Sequence, residues 1–164
     1  VSMMGSFGCP YQCDFCIDAE IPYQALDMEG IREDLQFILQ KIKHPVVGWY
    51  DPNFGIRFPA IMETIESVVP PGRIHFVAES NLATLSEPNL KVLQRNGFKM
   101  MMLGIESWYA YGNKAKLTSS TGLEKVRRVA EQVNRIQRYI PQVHTNIMFG
   151  FDSESGPEPF FIYF

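Results

Sequence analysis

The sequence predicts an α/β domain built on a parallel sheet, and three observations carry that reading. Apolar runs of strand length alternate with longer amphipathic segments along the chain. The strand-length runs show little alternation of polar and apolar residues, as expected where both faces of a sheet are covered. No repeat, low-complexity tract or flexible linker interrupts the pattern, so residues 1–164 read as a single domain, long enough for a real hydrophobic core. Strand following helix in regular order argues for right-handed crossovers between parallel neighbours.

The elements follow in order. A first strand-like run, "VSMMGSF", leads into a cysteine-bearing loop. In "IREDLQFILQKI", Ile31, Leu35, Ile38, Leu39 and Ile42 recur at helical spacing. "PVVGWY" suits a short buried strand. Phe58, Ile61, Met62, Ile65 and Val69 mark a second helix, stopped by Pro70, Pro71 and Gly72. "RIHFVA" is the next strand. "SEPNLKVLQRNG" reads as a helix with Ser86 as N-cap and Gly97 as its stop. "FKMMMLGI" is strand-like, with Met100, Met101 and Met102 expected as strand core. Leu123, Val126, Ala130, Val133, Ile136 and Ile140 mark the longest helix, and "QVHTNIMFGF" the last clear strand. Such units either curve into a barrel or open into a doubly wound sheet. In both, chemistry sits where strands run out into their loops.

Composition narrows the function classes. A net charge of −3 gives no general attraction to nucleic acid or to an anionic membrane, so RNA is disfavoured as a partner. No apolar run is long enough to span a bilayer. Val1 to Gly8 lack the basic start and apolar core of a signal peptide, which makes the cytoplasm the expected compartment. The chain opens without an initiator methionine and closes on the apolar segment "PEPFFIYF", and it reads as a fragment of something longer.

All 3 cysteines fall in one loop, "GCPYQCDFC", at Cys9, Cys13 and Cys16. Three thiols cannot form a closed set of disulfides, and in a reducing compartment they point to a metal. Cys-x-x-x-Cys-x-x-Cys spacing lets thiolates converge on a soft metal centre. An iron–sulfur cube normally takes four thiolates. With three, one iron keeps an open position, which is the mark of a reactive rather than a structural metal.

This loop resembles the signature of the radical S-adenosylmethionine (radical SAM) enzymes, with an aromatic residue, Phe15, just before the last cysteine and Gly8-Cys9-Pro10 as lead-in. The resemblance implies a four-iron, four-sulfur (4Fe-4S) cluster on Cys9, Cys13 and Cys16, with S-adenosylmethionine chelated to its unique iron. It implies one-electron cleavage of that cofactor to a 5′-deoxyadenosyl radical, which abstracts hydrogen from a substrate or initiates radical group transfer. It also implies an electron donor such as a flavodoxin or ferredoxin. Further along, "WYDPNFG" resembles the aspartate-asparagine-phenylalanine variant of the motif that meets the cofactor's amino group, offering Asp51 and Asn53. That variant occurs in members that often carry a cobalamin-binding domain, which implies cobalamin in the intact protein. "LGIES" supplies Glu106 and Ser107 for the cofactor's ribose or carboxylate. "NIMFGFD" resembles the segment that packs against adenine, around Ile147, Phe149 and Gly150. Glu79 and Asn81 in "AESNLA" are expected to point to the barrel mouth. The implied fold is a partial (β/α) TIM-like barrel of about five to six units, truncated at its C-terminal end.

Other readings stand beside these. The cysteines could form a structural zinc site or a non-catalytic iron–sulfur module, with His44, His75 or His144 as fourth ligand, although none of these flanks the loop as a compact zinc knuckle requires. Asp51 precedes Pro52 and could be a turn residue. Lys114 and Lys116, in the long polar stretch Tyr109 to Gly122, and Arg127, Arg128 and Arg135 read as solvated charge. The substrate and the catalytic side chains, if any, are not legible.

Overall fold

Each apolar run seen in the sequence forms a strand, and each amphipathic segment a helix. The computed structural model describes residues 1–11, 13, 15–108 and 122–150. Strands β1 (Ser2–Met3), β4 (Val46–Trp49), β5 (His75–Ser80), β6 (Phe98–Glu106) and β7 (Gln142–Ile147) make one sheet in the order β1-β4-β5-β6-β7, every neighbouring pair parallel. Helices α1 (Met28–Lys41), α2 (Phe58–Val68), α3 (Glu87–Arg95) and α4 (Gly122–Gln137) fill the crossovers. The result is a partial strand–helix barrel wall, as expected.

The predicted first strand divides in two. After Met3 the chain leaves the ladder with β4 and re-forms as β2 (Ser6–Phe7), which pairs antiparallel with β3 (Gln24–Ala25) in a separate ribbon. The reason lies at the end of β4. The Tyr50 N–H still bonds the Met3 carbonyl at 2.9 Å, but one step on the acceptor facing Gly5 is the Asp51 side chain rather than backbone.

Helix formation follows apolar spacing. In α1, Ile31, Leu35 and Ile38 return every three or four residues and bury one stripe, which packs against α2. Pro59 is tolerated in the first turn of α2, where its missing N–H has no intrahelical partner. Ser86 occupies the α3 N-cap, and its carbonyl takes the Leu90 N–H at 2.9 Å, though its hydroxyl makes no capping bond. Gly97, at φ +86°, ends α3 where a Cβ would lie 2.4 Å from the Ile74 carbonyl oxygen.

Between sheet and helices lies an aromatic core of Trp49, Phe54, Phe58, Phe76 and Phe98. Phe76 and Phe98 stack with centroids 5.0 Å apart, and Phe54 meets Phe98 at 5.4 Å. Burying each such ring stabilises the fold by about 2–3 kcal/mol. The methionine run splits between the two faces of β6: Met101 is fully buried in this core, while Met100 and Met102 line a cavity of about 360 Å³ on the other face with Val46, Gly48 and Val77.

Helix α4 corrects one expectation. Leu123 and Ala130 are exposed, and Lys125 is buried with Val129 and Ile136. The apolar stripe is phased by Val129, Ile136 and Ile140, so the position four residues before Val129 falls on it and carries a lysine inward. Residues 109–121 and 151–164, with Lys114, Lys116 and the terminal apolar segment, lie outside the described residues.

Candidate functional site

The cysteine loop begins where only glycine fits. Gly8 has φ +63°, and a Cβ there would stand 2.6 and 2.7 Å from the carbonyl oxygens of Ile21 and Pro22. The loop thus starts against the backbone of its own far end, and the β2–β3 ribbon closes it with the pairs Ser6–Ala25 and Phe7–Gln24. Arg57, at the end of a 3₁₀ turn after β4 (Phe54–Arg57), braces that ribbon, its Nη1 donating to the Gly5 carbonyl at 3.2 Å and the Leu26 carbonyl at 2.5 Å. Within the loop, the Cys16 N–H bonds the Cys13 carbonyl at 2.9 Å, a tight turn that sets the second and third cysteines on one bend. Cys16 then caps a 3₁₀ turn, Ile17–Glu20.

The three cysteines are thiols rather than half-cystines; Cys9 and Cys13 are buried and Cys16 half-buried. All three line one cavity of about 290 Å³, together with Phe15, Asp18, Pro52, Glu79 and Glu106. Among the described residues, no group of three or more His, Cys, Asp or Glu side chains closes on a single metal ion. The thiols share a cavity whose volume suits a guest of several atoms. No histidine lines this cavity, so the ligand set expected for zinc is not assembled there. Three soft thiolates around a roomy pocket fit an iron–sulfur cluster.

The strand ends contribute unequally. Asp51, 1% exposed, receives the Gly5 N–H on both carboxylate oxygens (3.1 and 2.9 Å) and the Ser6 hydroxyl on Oδ1 at 2.7 Å. These bonds anchor the root of the cysteine loop. Pro52, the next residue, is the one that lines the cavity. Asn53 is buried; its Oδ1 accepts the Gly55 N–H at 3.1 Å and caps the 3₁₀ turn, which also fixes the amide's orientation. Its Nδ2 is a buried donor with no protein partner. Glu79 lines the thiol cavity as expected, whereas Asn81 is engaged locally, its Oδ1 taking the Thr84 N–H at 3.0 Å.

Glu106 closes β6 in an unusual conformation. Among the described residues it is the one non-glycine with positive φ, at 68°. The Ser107 N–H reaches the Ile105 carbonyl at 2.9 Å across it, and the Glu106 carbonyl takes the Met148 N–H at 2.7 Å. This three-residue turn is a strained form, and such strain gathers at functional sites. Ser107 is fully buried, and its carbonyl accepts from the Lys125 ammonium on α4. Burial pushes the Lys125 ammonium below the usual lysine range, with the Glu106 charge opposing. At the end of β7, Ile147 packs against the core, while Phe149 is exposed and Gly150 takes φ +90°.

The cavity therefore unites Cys9, Cys13, Cys16, Phe15 and Glu106, while Asp51, Asn53, Ser107, Ile147, Phe149 and Gly150 are not among its lining residues. The sequence reading missed Asp18 as a lining residue and Lys125 as a buried one. Asp18 has no local signal; Lys125 had one, in the phase of the α4 stripe.

The model of the radical SAM superfamily matches residues 3–158. The chain belongs to the radical SAM superfamily. No curated protein matches it. Among solved structures, it is similar to the radical S-adenosylmethionine methyltransferase TsrM from Kitasatospora setae with cobalamin and a 4Fe-4S cluster bound, at TM-score 0.70 and 16% identity, over 96% of this chain and 32% of that one. It is similar to the cobalamin-dependent S-adenosylmethionine radical enzyme OxsB with aqua-cobalamin bound, at TM-score 0.68 and 19% identity, over 98% of this chain and 25% of the other. A third similar structure is native anSMEcpe with bound AdoMet and a Cp18Cys peptide, at TM-score 0.59 and 18% identity, over 89% and 42%. These likenesses show the shared fold, and this radical SAM chain spans a quarter to two fifths of the length of those proteins.

Proposed function

We propose that this chain is the cofactor-binding core of a radical SAM enzyme, in which Cys9, Cys13 and Cys16 hold a 4Fe-4S cluster and the adjoining strand ends seat S-adenosylmethionine. The observation that carries this reading is the single cavity shared by three thiols and Glu106, with no histidine in its lining. A bound cluster would supply the electron that cleaves S-adenosylmethionine to a 5′-deoxyadenosyl radical for hydrogen abstraction or group transfer.

The protein's own part is positioning and shielding. Gly8, the β2–β3 ribbon and Asp51 hold the loop so that its thiolates share one space. Phe15 provides an apolar wall. Glu106 faces the ribose or carboxylate of the cofactor, with Ser107 beside it in the same turn, and Asn53 offers its unpartnered Nδ2 toward the polar end. Ile147, Phe149 and Gly150 form the adenine side. An electron donor such as a flavodoxin or ferredoxin, an unidentified substrate, a cobalamin domain elsewhere in the intact protein and a cytoplasmic location complete the reading. Among the described residues, no helix is long and apolar enough to cross a membrane.

Anaerobic reconstitution with iron and sulfide tests it. The parent protein should turn brown, and the spin-resonance signal of its reduced cluster should change when S-adenosylmethionine is added. Cys13→Ala should lose the colour; retention of iron and sulfide at the parent ratio would refute the ligand assignment. An unchanged spin-resonance signal would refute the enzyme reading.

A further inference from the structure

Glu106 is held in its strained turn from two sides by residues with no place in the cysteine motif. Behind the turn lies Lys125, 3% exposed, whose ammonium donates to the Ser107 carbonyl and stands 3.5 Å from the Ile105 carbonyl. Those carbonyls flank Glu106 on either side. In an extended strand two such carbonyls would point the same way but lie about 7 Å apart; the turn draws them together, within reach of one ammonium. Two residues earlier on β6 is Gly104. A Cβ there would lie 2.3 Å from Glu106 Oε1 and 3.2 Å from its carboxyl carbon. The bare α-carbon is thus the floor over which the Glu106 side chain folds back. The β6–β7 register also shifts between Gly104 and Glu106, so the turn is built into the sheet pairing.

We propose that Lys125 and Gly104 are positioning residues that together aim the Glu106 carboxylate into the thiol-lined cavity, Lys125 by tying the backbone of the turn and Gly104 by leaving room for the carboxylate. A lysine buried at helix spacing from Val129 and a glycine inside a strand each weaken the element that carries it. Both are accounted for by one carboxylate. The atom that would collide with a new Cβ at Gly104 is the end of a flexible side chain, so alanine there moves the carboxylate and leaves the strand in place. Loss of the Lys125 ammonium instead releases the backbone. The two substitutions therefore reach one side chain by separable routes.

The proposal relies on the function proposed above only in taking S-adenosylmethionine as the probe. The reconstituted parent, Lys125→Met and Gly104→Ala are compared for iron and sulfide content, S-adenosylmethionine affinity by titration of the spin-resonance signal, and amide hydrogen exchange. Lys125→Met should keep the cluster, weaken S-adenosylmethionine binding about tenfold or more, and speed exchange selectively at the Ser107 and Met148 amides. Gly104→Ala should weaken binding to a similar degree with those two amides still protected. The double variant should lose less affinity than the product of the single losses, because both act on the same carboxylate. Parent affinity and parent protection in Lys125→Met would overturn the proposal, as would faster exchange spread evenly over β4, β5 and β6, which marks a merely structural lysine. Should Lys125→Met fail to fold, Lys125→Gln, which keeps a donor without the charge, is read by the same criteria. If the parent itself does not bind S-adenosylmethionine, the proposed function fails, while the exchange at Ser107 and Met148 still decides whether Lys125 ties the turn.

Discussion

Asp51 and Glu106 are two carboxylates at the exits of two strands in one sheet, and they differ in nearly every physical respect. Asp51 is enclosed, and three donor contacts from Gly5 and Ser6 converge on its oxygens. Glu106 is half-buried, sits on backbone at φ 68°, and lines the cavity shared with the thiols. One carboxylate serves the chain and the other faces the thiol-lined cavity. A strand-exit address does not decide between these roles. The donors offered by the neighbouring segment do: where a loop presents N–H and O–H groups, the carboxylate becomes an anchor.

The contrast can be broken by substitution, and the largest effect belongs to Asp51. Asp51→Ala leaves a buried N–H and a buried hydroxyl without their acceptor and should destabilise the protein by about 3 kcal/mol, measured by urea unfolding. Because those groups root the cysteine loop, iron content after reconstitution should fall as well. Glu106→Gly should act in the opposite sense on stability. Removing a side chain from left-handed backbone relieves strain of about 1 kcal/mol, so the unfolding midpoint should hold or rise while S-adenosylmethionine binding is lost. Equal destabilisation by both substitutions would erase the distinction.

Glu66 provides a third, smaller case away from the strand exits. It accepts from the Asn96 side chain at 2.8 Å and pairs with Arg95, and the Arg95 and Asn96 bonds hold its carboxyl below its usual 4.5. A depressed carboxyl contributes stability that is present above pH 4.5 and fades as pH falls through the lower folded value. With the side chain 40% exposed, screening limits Glu66→Gln to about 0.5 kcal/mol or less at neutral pH. Unfolding curves of parent and variant should converge in acid, whereas those for Asp51→Ala should remain apart at neutral pH by several times that amount.

Legibility from sequence followed the range of the interaction. Cysteine spacing is local, and the cavity contains all three thiols. Parallel order was readable because β4 and β6 carry apolar residues on both faces and so lack polar alternation, although one face is core and the other lines the cavity of Met100 and Met102. The break between β1 and β2 was not, since it depends on Asp51, far along the chain from Gly5. The bond from the Thr84 N–H to Asn81 was not legible, because a side chain that bonds two or three residues ahead looks the same in sequence as one that points outward. Glu106 was legible as a carboxylate ending an apolar run. Its left-handed backbone was not, because that arises from turn geometry and from the space over Gly104 rather than from residue type. Lys125 stood in the phase of the α4 stripe, but an apolar-only count passed over it.

The β2–β3 ribbon sets how the cysteine loop opens. Bringing together the ends of residues 8–23 costs about 2.5 kcal/mol of chain entropy. Ser6–Ala25, Phe7–Gln24 and the Arg57 brace meet that cost with protein hydrogen bonds alone. Opening the loop at its root then asks only for local breathing of those two residue pairs, while the barrel wall stays intact.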